Sequence, residues 1–165
     1  MPHPTAMPDL TTAVPSPRPN RQDYRMLSDF RYLIRCFLNF STVAAHSIGL
    51  PSRQHQALLA IKGFAGNRNP TLGQLAERLK IQHHSAVELV DRLAEAGLIV
   101  RSHDPGDRRR VLLLLTQEAE HHLSTLSKIH LDELRRLRPA LQEILSRFER
   151  SEIEMTGLPG SESGS

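Results

Sequence analysis

The sequence holds one cysteine, Cys36, no tryptophan and only seven aromatic residues, five Phe and two Tyr. A single cysteine excludes an internal disulfide framework and any cysteine-based zinc finger, and it suits a reducing compartment. So few aromatics argue against a single-strand nucleic-acid binder, which stacks bases on aromatic platforms. No purely apolar run exceeds five residues, as in Val111–Leu115, whereas a membrane helix needs roughly 20. The N-terminal stretch has no apolar centre of the kind a secretory signal carries. A nucleophile motif, a glycine-rich phosphate loop and a paired carboxylate set are also missing, so no enzyme and no cofactor is expected. These absences point to a cytoplasmic protein with a binding role.

What is present is an ordinary globular composition, 39% hydrophobic and 24% charged over 165 residues, enough for about one domain with tails. The net charge is only +3, but it is unevenly spread. Residues 151–165 hold three acids and no bases, residues 26–70 hold five bases against one acid, and Arg101–Arg110 hold four against two. Eighteen of the 21 basic residues are arginine. That bias suits bidentate phosphate contacts and minor-groove insertion, although a GC-rich genome produces it equally well.

Six of the eleven prolines fall within residues 1–22, which read as a disordered arm, and residues 151–165 read as a flexible acidic tail. Between them, 23–150 form the expected domain. Apolar residues at helical spacing predict a first helix over Asp23–His46, with a stripe broader than one partner helix covers. A second helix, capped by Ser52, should carry Ala57, Leu58 and Ile61 inside. Thr71-Leu72-Gly73-Gln74 is a capping box that opens a short helix. After a turn at Lys80-Ile81-Gln82, a further helix runs from His83 to Ala96, with Gly97 at its left-handed C-terminal cap. Two short helices about a tight turn predict a helix-turn-helix. Leu98-Ile99-Val100 and Arg110–Thr116 then predict a β-hairpin around the turn Asp104-Pro105-Gly106-Asp107, which makes a wing. Gln117–Leu137 predicts a long helix, broken at Arg138-Pro139, with Pro139 starting a last one. The expected fold is mainly α with a small β-wing: a winged helix-turn-helix over about 52–116, flanked by dimerisation helices over 23–46 and 117–150.

The run Thr71-Leu72, Leu75-Ala76 and Leu79, then Val90-Asp91-Arg92-Leu93 and Gly97-Leu98-Ile99, then Asp104-Pro105-Gly106-Asp107-Arg108-Arg109 and Leu115-Thr116 resembles the MarR family of bacterial winged-helix regulators. The resemblance implies a homodimer that binds a pseudo-palindromic double-stranded DNA operator as a transcriptional regulator. It also implies that Asp107 braces Arg109, which enters the groove. The chain departs from the family's common pattern in the recognition helix, Gln82-His83-His84-Ser85-Ala86-Val87-Glu88, and in carrying Ala119 where glycine often stands.

The DNA-contacting residues expected are Thr71, Gln82, His83, His84, Ser85, Glu88 and Arg92 around the recognition helix. To these the wing adds Asp107, Arg108, Arg109 and Arg110. A small aromatic or anionic effector, releasing a repressor from DNA, is expected among Tyr32, Cys36, His46, Arg53 and His55. Three other readings remain open. Cys36 is a small buried hydrophobe or the thiol of a redox sensor. His46, His55, His121, His122 and His130 match no tight metal-ligand spacing, so no metal site is assigned, yet a metal sensor of the same fold is an alternative. Glu88 in the reading helix leaves room for a helical adaptor that no longer binds DNA.

Overall fold

The computed structural model describes residues 18–156. In chain order it contains α1 (Arg21–Ser47), α2 (Ser52–Lys62), a short 3-10 turn (Ala65–Asn67), α3 (Leu72–Leu79), α4 (His83–Glu95), β1 (Ile99–His103), β2 (Val111–Leu115) and α5 (Gln117–Thr156). This is the mostly helical architecture with a two-stranded wing that the apolar periodicities predict. No single helix among the described residues is long and apolar enough to cross a membrane.

The chain divides into two compact units, residues 39–132 and residues up to 38 together with those from 133 onward. The first holds the core. Ala45, Ala57, Leu58, Leu75, Val90, Leu93, Leu113 and Leu126 are essentially sealed from solvent in it. Because α2 packs against α3, α4 and β2, the helix-turn-helix and the wing share one apolar centre. Burying each of the leucine and valine side chains stabilises the unit by about 1.5–3 kcal/mol before chain entropy is charged against it.

The C-terminal ends of α1, α3 and α4 are closed by one device. Leu50 donates its N–H to the carbonyl of Ala45, Ile81 to that of Ala76, and Leu98 to that of Leu93. Each closure turns on a left-handed residue, Gly49, Lys80 or Gly97, with φ of 75°, 53° and 69°. Gly97 reverses the chain from α4 into β1, where a side chain would be strained. Thr71 caps α3 as its spacing predicts, accepting from the Gln74 N–H while Gln74 reaches back to the Thr71 N–H. Thr116 does comparable work at the start of α5. Its hydroxyl donates to the Gly97 carbonyl at 2.8 Å and accepts from the Ala119 N–H at 3.3 Å.

In the second unit, Leu137 and Ile144 are buried, and Arg147 reaches Asp29 at 3.5 Å. Glu133 is buried too, and its carboxylate takes two hydrogen bonds from Arg136, at 2.6 and 2.7 Å. Those bonds hold its pKa below the usual carboxylate range.

Four expectations need correction. Pro51, not Ser52, sits at the N-cap of α2, and Ser52 is already helical. The N-terminal arm ends sooner than expected, since Arg21 and Gln22 belong to α1, where the Asn20 side chain accepts from the N–H of Gln22 and of Asp23. Helix α5 runs on through Pro139 without a break. A prolyl ring removes one backbone donor and crowds the preceding turn at a cost of about 3 kcal/mol, but apolar spacing persists on both sides, and Leu137 and Ile144 are both buried. The same helix takes in residues 151–156, expected as tail. The remaining tail, 157–165, and most of the arm, 1–17, lie outside the described residues.

Candidate nucleic-acid interface

Helix α4 owes its orientation to its own sequence. Ala86, Val90 and Leu93 recur at helical spacing and are buried, which turns His83, His84, Glu88 and Arg92 to solvent. Gln82 is the N-cap and makes no side-chain cap, so the first-turn N–H groups of α4 and the Gln82 amide stay available to an outside partner. No acidic residue stands in that first turn. Ser85 is half-buried at its edge. Glu88 lies 4.0 Å from Arg92 on the same face, a loose and solvated pair that a phosphate can displace.

The wing is a regular antiparallel hairpin with Ile99 opposite Leu115 and His103 opposite Val111. Thr71 bridges to Leu112, and the Leu113 N–H donates to the Pro70 carbonyl, so the start of α3 is tied to β2. The loop between the strands is ordered by its aspartates. Asp104 accepts from the Gly106 N–H, and the Asp107 carboxylate accepts from the Arg109 N–H at 3.0 Å. His103 donates from Nδ1 to the Arg108 carbonyl at 2.9 Å.

This arrangement leaves the arginine heads outward. Arg109 is 94% exposed, with Nε 3.5 Å from Asp107, which is the bracing contact the resemblance implies. Arg110 is partly spent on Asp104 at 3.5 Å. A further ion pair, Asp91 of α4 with Arg101 of β1, ties the wing to the recognition helix. The two were not singled out by sequence as a pair; they stand ten positions apart, and the reversal of the chain at Gly97 brings them together. The Thr71 hydroxyl is engaged in its cap, and its backbone in the bridge to Leu112.

Beside α4 lies a groove of about 770 Å³ between the start of α2, the helix-turn-helix turn and α4. Arg53, Lys80 and Arg92 supply cations around it, and Leu79, Ile81 and Leu89 supply apolar walls. The five residues expected around an effector are divided between the two units. Tyr32 and Cys36 fall in one unit and His46, Arg53 and His55 in the other. Tyr32 lies one helical turn from half-buried Cys36, and the neighbouring Cys36 sulfur raises the pKa of its hydroxyl. His46 and Arg53 are exposed. His55 is a correction: it was expected at a cleft surface and is only 3% exposed, stacked on His130 inside the core. Among the described residues there is no group of three or more His, Cys, Asp or Glu side chains placed to hold a metal ion.

Residues 48–110, the stretch from the end of α1 through the wing tip, match the model of the MarR family. Over that stretch, the helix-turn-helix and its wing, the chain is similar to the MarR family. The curated relatives agree. It is 33% identical over 85 residues to the uncharacterized HTH-type transcriptional regulator YcgE of Bacillus subtilis, covering 52% of this chain and 51% of that one. Over 110 residues it is 29% identical to the uncharacterized HTH-type transcriptional regulator YkoM of the same organism, covering 64% and 69%. The match thus spans about half the length of the first relative. Among solved structures, AbsC, a MarR family transcriptional regulator from Streptomyces coelicolor, superposes with a TM-score of 0.64 at 17% identity, over 82% of this chain and 93% of its own. CouR from Rhodococcus jostii, bound to p-coumaroyl-CoA, gives 0.60 at 22% identity over 81% and 95%. The MepR F27L mutant of S. aureus, bound to an oligodeoxyribonucleotide, gives 0.55 at 18% identity over 81% and 95%. These neighbours establish the MarR winged-helix fold. The family is one of transcription regulators rather than enzymes.

Proposed function

We propose that this protein is a homodimeric, sequence-specific DNA-binding transcriptional regulator, a repressor released by a small aromatic or anionic ligand. The observation that carries the DNA reading is the exposed N-terminal face of α4, His83 and His84, standing beside a wing whose most projecting side chain is Arg109. The helix reads base edges in the major groove and the arginine tip enters the neighbouring minor groove. MepR, of the same fold, is bound to DNA in its structure. A gel shift with the DNA upstream of the protein's own gene tests this reading. A retarded band that resists excess random DNA supports it; no retardation at micromolar protein returns the adaptor alternative.

Dimerisation is proposed from the unit formed by the ends of α1 and α5. Tyr24, Leu27, Phe30, Ile34, Leu145 and Phe148 are all 41–61% exposed there. A monomer in water rarely leaves such a contiguous apolar surface uncovered, and a second copy is the partner a palindromic operator calls for.

The ligand reading rests on the groove beside α4. Cations with apolar walls suit an amphipathic anion such as an aromatic carboxylate, and CouR in its structure holds an aromatic acyl-CoA. A ligand seated there meets Ser85, Glu88 and Arg92 of the reading helix, so it binds free protein better than the DNA complex and displaces DNA by that difference. A thermal-shift screen of aromatic acids should find a stabilising ligand whose effect is lost in Arg53→Ala while operator affinity without ligand stays within a few-fold. Persistence of the effect in that variant places the effector elsewhere.

A further inference from the structure

We propose that His55 and His130 form a proton-sensitive joint inside the DNA-binding unit, holding α2 to the C-terminal end of α1 and the first half of α5 only while the His55 ring is neutral. The two imidazoles lie nearly parallel, 23° apart with centroids 5.0 Å from one another, and are 3% and 9% exposed. In the neutral His130 ring, Nδ1 donates to the Leu126 carbonyl at 2.6 Å, and Nε2 accepts from the Ser41 hydroxyl at 2.8 Å. The Phe40 ring meets His130 edge-on at 5.9 Å. His55 Nδ1 is buried with no hydrogen-bond partner, the one such side-chain atom among the described residues.

A proton arriving on that nitrogen places a charge where no acceptor waits, against a second imidazole stacked on it. The contacts recorded around the two rings are polar or apolar, not charged. His130 is the titratable group facing His55 from α5, and α1 faces the pair with Ser41 and Phe40. The core side chains that α3, α4 and β2 supply are Leu75, Val90, Leu93 and Leu113. Burial first, and the neighbouring His130 second, hold the His55 pKa below its ordinary 6.5. The sign follows: the folded unit binds this proton less readily than the unfolded chain, so the stability tied to a neutral His55 is complete above the ordinary histidine pKa and drains away as pH falls below it.

The joint rests on the DNA-binding reading only for its consequence. Loosening α2 removes support from α3 and α4, which pack on it, and so costs operator affinity. Added positive charge on the surface acts the other way, because it strengthens phosphate binding.

The test uses the full chain, wild type and His55→Gln, at about pH 7.5 and 5.5 with thermal unfolding and operator titration in parallel. Glutamine keeps a neutral polar side chain that cannot charge. The expected result is a larger drop in unfolding midpoint on acidification for wild type than for the variant. Relative to the variant, wild type should also lose about threefold or more in operator affinity between the two pH values. Equal pH responses of both proteins in unfolding overturn the proposal. If wild type binds no DNA at either pH, the functional reading fails while the unfolding comparison still decides the joint. Should His55→Gln not fold, the His55 ring proton followed by NMR in wild type decides instead: a midpoint below 6.5 supports the joint, and one at or above 6.5 overturns it.

Discussion

On the proposed reading, Arg109 and His84 divide the work of binding between position and sequence. Arg109 is almost fully exposed and braced at 3.5 Å by Asp107, so it lends the fold almost nothing and is free to be spent on DNA. Arg109→Ala should leave the unfolding midpoint unchanged, weaken operator and random DNA alike, and lower the slope of log affinity against log salt by about one. Unchanged binding across salt would show that the wing does not touch DNA. His84→Ala should instead alter the preferred bases, each lost contact being worth about 1–3 kcal/mol of discrimination; selection from a randomised operator pool reads this directly. The outward placement of His84 could be read from spacing, because Ala86, Val90 and Leu93 fix which way α4 faces. His55 could not. It looks like one more polar residue among Arg53, Gln54 and Gln56, and only the return of α5 across α2, far along the chain, buries it against His130.

Helix ends and strand turns were the most legible elements. The capping box at Thr71, the left-handed Gly97 and the aspartate-rich wing loop are local signals, and the hydrogen bonds that satisfy them are local too. Helix α5 was less legible, because its continuity past Pro139 depends on packing along two lengths of helix rather than on the proline alone. Pro139→Ala should therefore raise stability, by up to about 3 kcal/mol from the restored hydrogen bond and relieved crowding. A rise in unfolding midpoint with unchanged DNA affinity is the expected outcome; a fall would mean that the proline shapes a bend the protein needs. Thr71→Ala should cost about 1 kcal/mol through the lost cap. It should affect DNA binding only to that extent, since Thr71 acts through α3 and its bridge to Leu112.

At the scale of the whole molecule, the account joins an outward-facing reading helix to an apolar surface that asks for a second copy. An interface of roughly 2,000 Å² or more is expected for a permanent dimer, and sedimentation should show a dimer at micromolar concentration. A charged substitution in the exposed apolar patch, Phe30→Glu or Phe148→Glu, should give monomer and weaken operator binding far more than it weakens binding to random DNA, because a dyad doubles the specific contacts. Should the variants stay dimeric, the partner surface lies elsewhere. The most direct measurement of the central claim is selection of DNA from a random pool by the full-length wild-type chain at physiological salt. The account predicts enrichment of a pseudo-palindrome with half-sites about one helical turn apart, bound with the steep salt dependence of several phosphate contacts. No enriched sequence, or a salt-independent interaction, would contradict it.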